Sequence, residues 1–177
     1  MKRKLTAISI GLAVTFGGTS LIVGQTKDPI ASIRQHYAAI NKRAAKYRRV
    51  KKELSGFSLE GGELIAYFDG PAIMKIVTRH FGESGNTVEE YYYRNGQLIF
   101  VFEKISHYSR PLSGKVVSAL ENRYYFNDDD LIRWIGEKGK EVPVSEEYRL
   151  KEKVFLENSN TCVSGARSTN AVIEGQP

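Results

Sequence analysis

From Asp28 onward, apolar side chains recur at Ile30, Ile33, Tyr37, Ile40, Ala44 and Tyr47, and Val50 and Leu54 continue the stripe after a slip. Steps of three and four predict one amphipathic helix. Asp28 can cap its free amides, and Pro29 sits at the first helical position, where its missing N–H costs nothing. Ser55-Gly56 marks the end, glycine being the usual left-handed stop. The other face carries Arg34, Lys42, Arg43, Lys46, Arg49 and Lys52, with Arg48 and Lys51 alongside, against only Asp28 and Glu53. Such a face is either a solvated exterior or a docking surface for an anionic partner.

After Gly56 the period becomes strand-like and a unit repeats. "AYFDGPAIMKIV", "YYYRNGQLIFVF" and "YYFNDDDLIRWI" each place an aromatic pair, four turn-like residues and an aliphatic start to a second strand. Two-residue turns then fall at Gly70-Pro71, Asn95-Gly96 and Asp128-Asp129. Asn-Gly is the strongest hairpin signal, because both residues tolerate positive φ. Pairing outward puts Phe68, Tyr93 and Phe126 opposite Ile73, Leu98 and Leu131 on one face. The second face runs through Tyr67, Tyr92, Tyr125, Met74, Ile99, Ile132, Ile76, Val101 and Trp134, and is expected to receive the helix.

Six antiparallel strands follow from this reading: Glu63–Asp69, Ala72–His80, Thr87–Arg94, Gln97–Lys104, Leu120–Asn127 and Asp130–Gly136. Residues 82–85 form a loop, and "ISHYSRPLSGKVVS" is a turn-rich insertion over 105–118. A short C-terminal helix is expected within 144–157. The polar, small-residue tail 158–177 reads as disordered. The expected fold is α+β, one domain over 28–143, with a helix on a meander of three hairpins.

The N-terminus changes how the charge is read. Lys2, Arg3 and Lys4 precede an uncharged run from Leu5 to Val23, the layout of an export signal over 1–24. Cleavage would release the chain to the periplasm or exterior, and an uncleaved run would anchor it in the membrane. The whole chain of 177 residues carries +6, but residues 1–24 hold three bases and no acid. Removing them leaves 23 basic against 20 acidic residues, a net +3 that argues against a nucleic-acid partner. Cys162 is the one cysteine, so no disulfide forms within the chain, and cysteine-based metal ligation is excluded.

Candidate chemistry is sparse. "NDDDLIRW" lacks the glycine and alternating oxygens of a calcium loop and reads as a bend. His36, His80 and His107 show no zinc-ligand spacing, and neither a metal nor a cofactor is expected. His107 and Arg110 lie in the 105–118 insertion beside several serines, and a hydrolase would draw on them. Glu89 and Glu90 point to opposite faces of a strand, so the two do not share one site. Tyr93, Phe100 and Phe126 are either a recognition surface or cross-strand packing.

The leader, the "DPIASIRQHYAAINK" helix opening, and the "AYFDG", "EYYYRNGQLIFVFEK" and "RYYFNDDDLIRWI" hairpins resemble small exported bacterial proteins built from one N-terminal helix and an antiparallel meander. Tyr93 to Leu98 is also similar to the Y-x-N-G-x-L form of tandem hairpin-repeat proteins. The resemblance spans about Asp28 to Val142 and implies no catalytic residue. The expectation is a non-enzymatic exported module that binds a protein, peptide or envelope component. Its candidate contacts are Tyr93, Phe100, Phe126, His107, Arg110, Lys42, Arg43 and Lys46. The alternatives are a hydrolase using the 105–118 loop and a structural envelope protein docking through the basic helix.

Overall fold

A computed structural model describes residues 28–175, so the expected leader lies outside the described residues. Helix α1 spans Pro29–Arg43, and Asp28 caps it by accepting from the Ile30 amide at 2.9 Å. A 3-10 turn over Ala44–Lys46 leads into strand β1, Arg48–Ser55. Then follow β2 (Gly62–Asp69), β3 (Ala72–Gly82), β4 (Gly85–Arg94), β5 (Gln97–Tyr108), β6 (Val116–Asn127) and β7 (Asp130–Ile135). Helix α2 (Glu146–Arg167) and strand β8 (Val172–Glu174) close the chain. One eight-stranded sheet has the order β7-β6-β5-β4-β3-β2-β1-β8. Every pairing is antiparallel except β8, which runs parallel to β1.

The fold class is α+β with a mostly antiparallel sheet, but five expectations need correction. The N-terminal helix stops at Arg43, not Leu54. Residues Val50, Lys52 and Leu54 point inward from β1 with period two, and the lysine among them disguises a strand as a slipping helix. Six strands become eight. The third correction concerns the C-terminal helix, which runs on to Arg167 instead of ending near 157. Its second half buries Ser159, Cys162, Gly165 and Ala166, small residues that read as disorder but let the helix lie close to the sheet. The fourth is the segment 105–118, half of which is strand, since β5 extends to Tyr108 and β6 begins at Val116.

The fifth correction is the register. All three turns form as expected: Asn95 and Gly96 have φ of 54° and 84°, Asp128 and Asp129 of 52° and 66°, and Gly70 of 58°. Phe68, Tyr93 and Phe126 pair with Ile73, Leu98 and Leu131. One step further out, each hairpin skips a residue. Tyr67 meets Lys75, Tyr92 meets Phe100 and Tyr125 meets Arg133, leaving Met74, Ile99 and Ile132 as the extra residue of a β-bulge. A one-residue slip exchanges faces beyond it.

The expected single apolar face is therefore divided between two cores. Tyr92, Ile99, Phe100 and Tyr125 pack under α1 with Ile33, Ile40 and Tyr47. Ile76, Val101, Trp134, Tyr93, Phe126 and Tyr124 pack under α2 with Tyr148, Phe155 and Cys162. Each face of the sheet has its own helix.

Candidate functional site

On the α2 side the sheet changes character along its length. Near the three two-residue turns it is apolar. Following the alternation outward from the core residues Ile76, Tyr91, Val101 and Tyr124, the next positions on the same face are Thr78, Glu89, Glu103 and Asn122. Glu89 and Glu103 are direct partners across β4 and β5, and both are buried. Like charges opposite each other on a sheet repel, and burial adds a desolvation cost, so both carboxylates require donors.

The donors are present. Glu89 accepts from the Tyr91 hydroxyl at 2.5 Å and from Thr78 Oγ1 at 3.2 Å, and His80 Nε2 lies 3.6 Å away. Glu103 accepts from Tyr124 at 2.9 Å, from Asn122 Nδ2 at 2.8 Å and from Lys151 Nζ of α2 at 3.2 Å. Trp134 Nε1 in turn donates to Asn122 Oδ1 at 3.2 Å, tying the network to the core. Burial pushes the Glu89 carboxyl up, but His80, Tyr91 and Thr78 outweigh it and leave the group below the ordinary glutamate value. The same burial, with the Glu89 charge beside it, raises the Tyr91 hydroxyl well above its usual range, so that it stays a donor.

These two glutamates form the floor of a cleft of about 760 Å³. The middle of α2 roofs it with Glu157, Asn158 and Thr161. Phe57 and Ser58 of the β1–β2 loop and Phe81 of β3 stand on one side, with Ile105 and His107 of β5 on the other. The volume is that of a small-ligand site. Its lining holds three carboxylates, Glu89, Glu103 and Glu157, against the imidazoles of His80 and His107, and Lys151 and Lys153 of α2 reach Glu103 at 3.2 Å and Glu157 at 3.8 Å from outside the lining. Among the described residues no group of three or more histidine, cysteine, aspartate or glutamate side chains is placed to hold a metal ion.

Of the residues chosen from the sequence, only His107 lines this cleft, where it is exposed at the mouth. Arg110 is exposed on the adjoining loop. Tyr93 and Phe126 are buried beneath α2, Tyr93 sharing a hydrogen bond with Ser159 Oγ at 3.0 Å, so neither offers a surface while the helix is docked. Phe100 is buried beneath α1, in edge contact with Tyr37 at 5.1 Å between ring centres. Lys42, Arg43 and Lys46 are exposed at the end of α1 and the following turn, and Arg43 pairs with Asp69 at 3.3 Å beside the β2–β3 turn. That turn lies at the opposite end of the sheet from the cleft.

The sequence does not reveal Glu103 as a site residue, nor that Glu89 and His80 meet it in one cleft. Glu89 was weighed only against Glu90, which does point the other way and pairs with Lys75 at 2.8 Å. Its cross-strand partner is Glu103, and counting out from Tyr93–Leu98 without a bulge would set Glu89 against Phe102 instead. The skipped residue Ile99 concealed the pair. No protein-family model matches the chain, and no curated protein or solved structure matches it.

Proposed function

We propose that the protein is an exported, non-enzymatic binding domain whose acidic cleft takes a cationic group presented by a peptide, protein or envelope component. One observation carries this reading: the cleft floor is a facing pair of buried glutamates, Glu89 and Glu103, each held by neutral hydroxyl or amide donors and one basic side chain. A floor so arranged keeps negative charge in a half-enclosed space, where an amine or guanidinium gains more than it would on an open surface. Glu89, held below the ordinary glutamate value by His80, Tyr91 and Thr78, keeps its charge at neutral pH and is a poor proton carrier there. Phe57 and Ile105 supply apolar walls for the remainder of the ligand.

Titration calorimetry of residues 25–177 with tri-lysine and with tri-glutamate tests the reading. Tri-lysine is expected to bind, and Glu103→Gln, with its fold checked by circular dichroism, to weaken it at least tenfold. Equal binding of the two peptides, or none of tri-lysine, would remove the proposal.

A hydrolase has one observation in its favour. His80 sits beside Glu89, and its Nδ1 is buried without a hydrogen-bond partner among the described residues. That pair, and not His107 in the 105–118 segment, is the arrangement a nucleophile would need. Ester hydrolysis that vanishes in His80→Ala would favour it over binding alone.

A further inference from the structure

The opposite face of the sheet holds a second recess, of about 470 Å³, between α1 and strands β5 and β6. Its accessible walls are Tyr37 and Ala38 from the helix and Phe102 from β5, laid over the buried Ile33 and Phe100. Two guanidinium groups stand at its rim, Arg34 from α1 and Arg123 from β6, and among the described residues no acidic side chain lines it. Both arginines are held against aromatic rings. Arg34 donates from Nε to the Tyr125 hydroxyl at 3.4 Å with its Cζ 5.7 Å from that ring centre, and Arg123 lies 5.4 Å from the centre of Phe102. A guanidinium braced on a ring loses little freedom when it binds and keeps its N–H edge for an acceptor.

The charges at this rim are unevenly answered. Arg123 gives one nitrogen to Glu121 at 3.0 Å, while Arg34 has no ion pair within 4.0 Å among the described residues. An apolar slot with cationic groups at its mouth is the complement of an amphiphile, with the tail inside and the acidic head between the arginines. We infer that the recess between α1 and strands β5 and β6 is a second binding site, for a small anionic amphiphile of the acyl-carboxylate class. It is independent of the acidic cleft, which lies on the other face of the sheet and selects the opposite charge.

Three probes with one tail separate head from tail: decanoate, decanol and decyltrimethylammonium, each titrated below micelle formation into residues 25–177. Decanoate is expected to bind at least tenfold more tightly than the other two. Arg34→Gln and Arg123→Gln should each weaken decanoate at least fivefold while decanol changes less than twofold. Both substitutions sit at exposed or half-exposed positions, so folding is preserved, and circular dichroism checks this. Phe102→Ser should weaken decanoate and decanol alike. Equal binding of all three probes, no binding of decanoate, or decanoate affinity unmoved in both arginine variants would overturn the assignment.

Discussion

Phe126 and Tyr93 separate two roles that a strand aromatic can have. Phe126→Ala should lower unfolding stability by about 3–5 kcal/mol in chemical denaturation, the loss typical of a large buried ring, with or without any ligand present. Cys162 makes a similar point about reactivity. Burial pushes its thiol up to about 12, so the folded protein should resist iodoacetamide at pH 8 and react promptly once unfolded in urea. Rapid labelling of the folded chain would show that α2 opens at its second half. At this scale the turn residues were the most legible part of the sequence. Asn95, Gly96, Asp128 and Asp129 all adopt the positive φ that two-residue hairpins require, and their types announced it. Lys52 was the least legible. Its amine is buried and donates to the main-chain oxygens of Ser168, at 2.8 Å, and of Asn170. No local pattern tells that a lysine will satisfy carbonyls beyond the end of a helix more than a hundred residues away.

Elements were legible where turn chemistry and alternation agreed, and obscure where a contact distant in the chain decided the outcome. The three hairpins belong to the first kind. Strand β1, the second half of α2, and β8 belong to the second, because each is held by partners that the local sequence does not contain. Gly165 shows the mechanism. A Cβ there would lie 2.4 Å from Cδ1 and 2.7 Å from Cγ1 of Ile173, so its bare backbone is what lets α2 and β8 meet. Gly165→Val is therefore expected to cost about 1–3 kcal/mol of stability and to speed amide exchange in Val172–Glu174 before exchange rises elsewhere. Uniform exchange across the sheet would contradict this account. The bulges at Met74, Ile99 and Ile132 carry the same lesson in finer form. Recurrence of the unit was visible, but the extra residue in each was not, and through it the Glu89–Glu103 pair escaped notice.

For the molecule as a whole, the buried Glu89 carboxylate ties stability to acidity. Glu89 is more acidic folded than unfolded, so its contribution is complete above the ordinary value of 4.5. That contribution is lost as pH falls through the lower folded value. Glu89→Gln should accordingly flatten the fall of melting temperature below about pH 4.5 relative to the unaltered chain, while leaving a stability difference at neutral pH. Parallel melting curves for the two proteins across that range would show that Glu89 is not a source of acid sensitivity. With one helix on each face, the sheet serves two recesses of opposite charge, and neither could be read from composition, since the acidic and basic residues that line them are interleaved along the chain.

Neighbours in the sheet are neighbours in sequence with a single exception: Glu53 of β1 waits for Val172 of β8. Hairpins of this kind zip up quickly from local bends, but that last seam cannot close until β8, more than a hundred residues after β1, has been made. A growing or C-terminally clipped chain would expose the bare hydrogen-bonding rim of β1, an invitation to pair with another molecule. The three residues of β8 act as the latch that withdraws it.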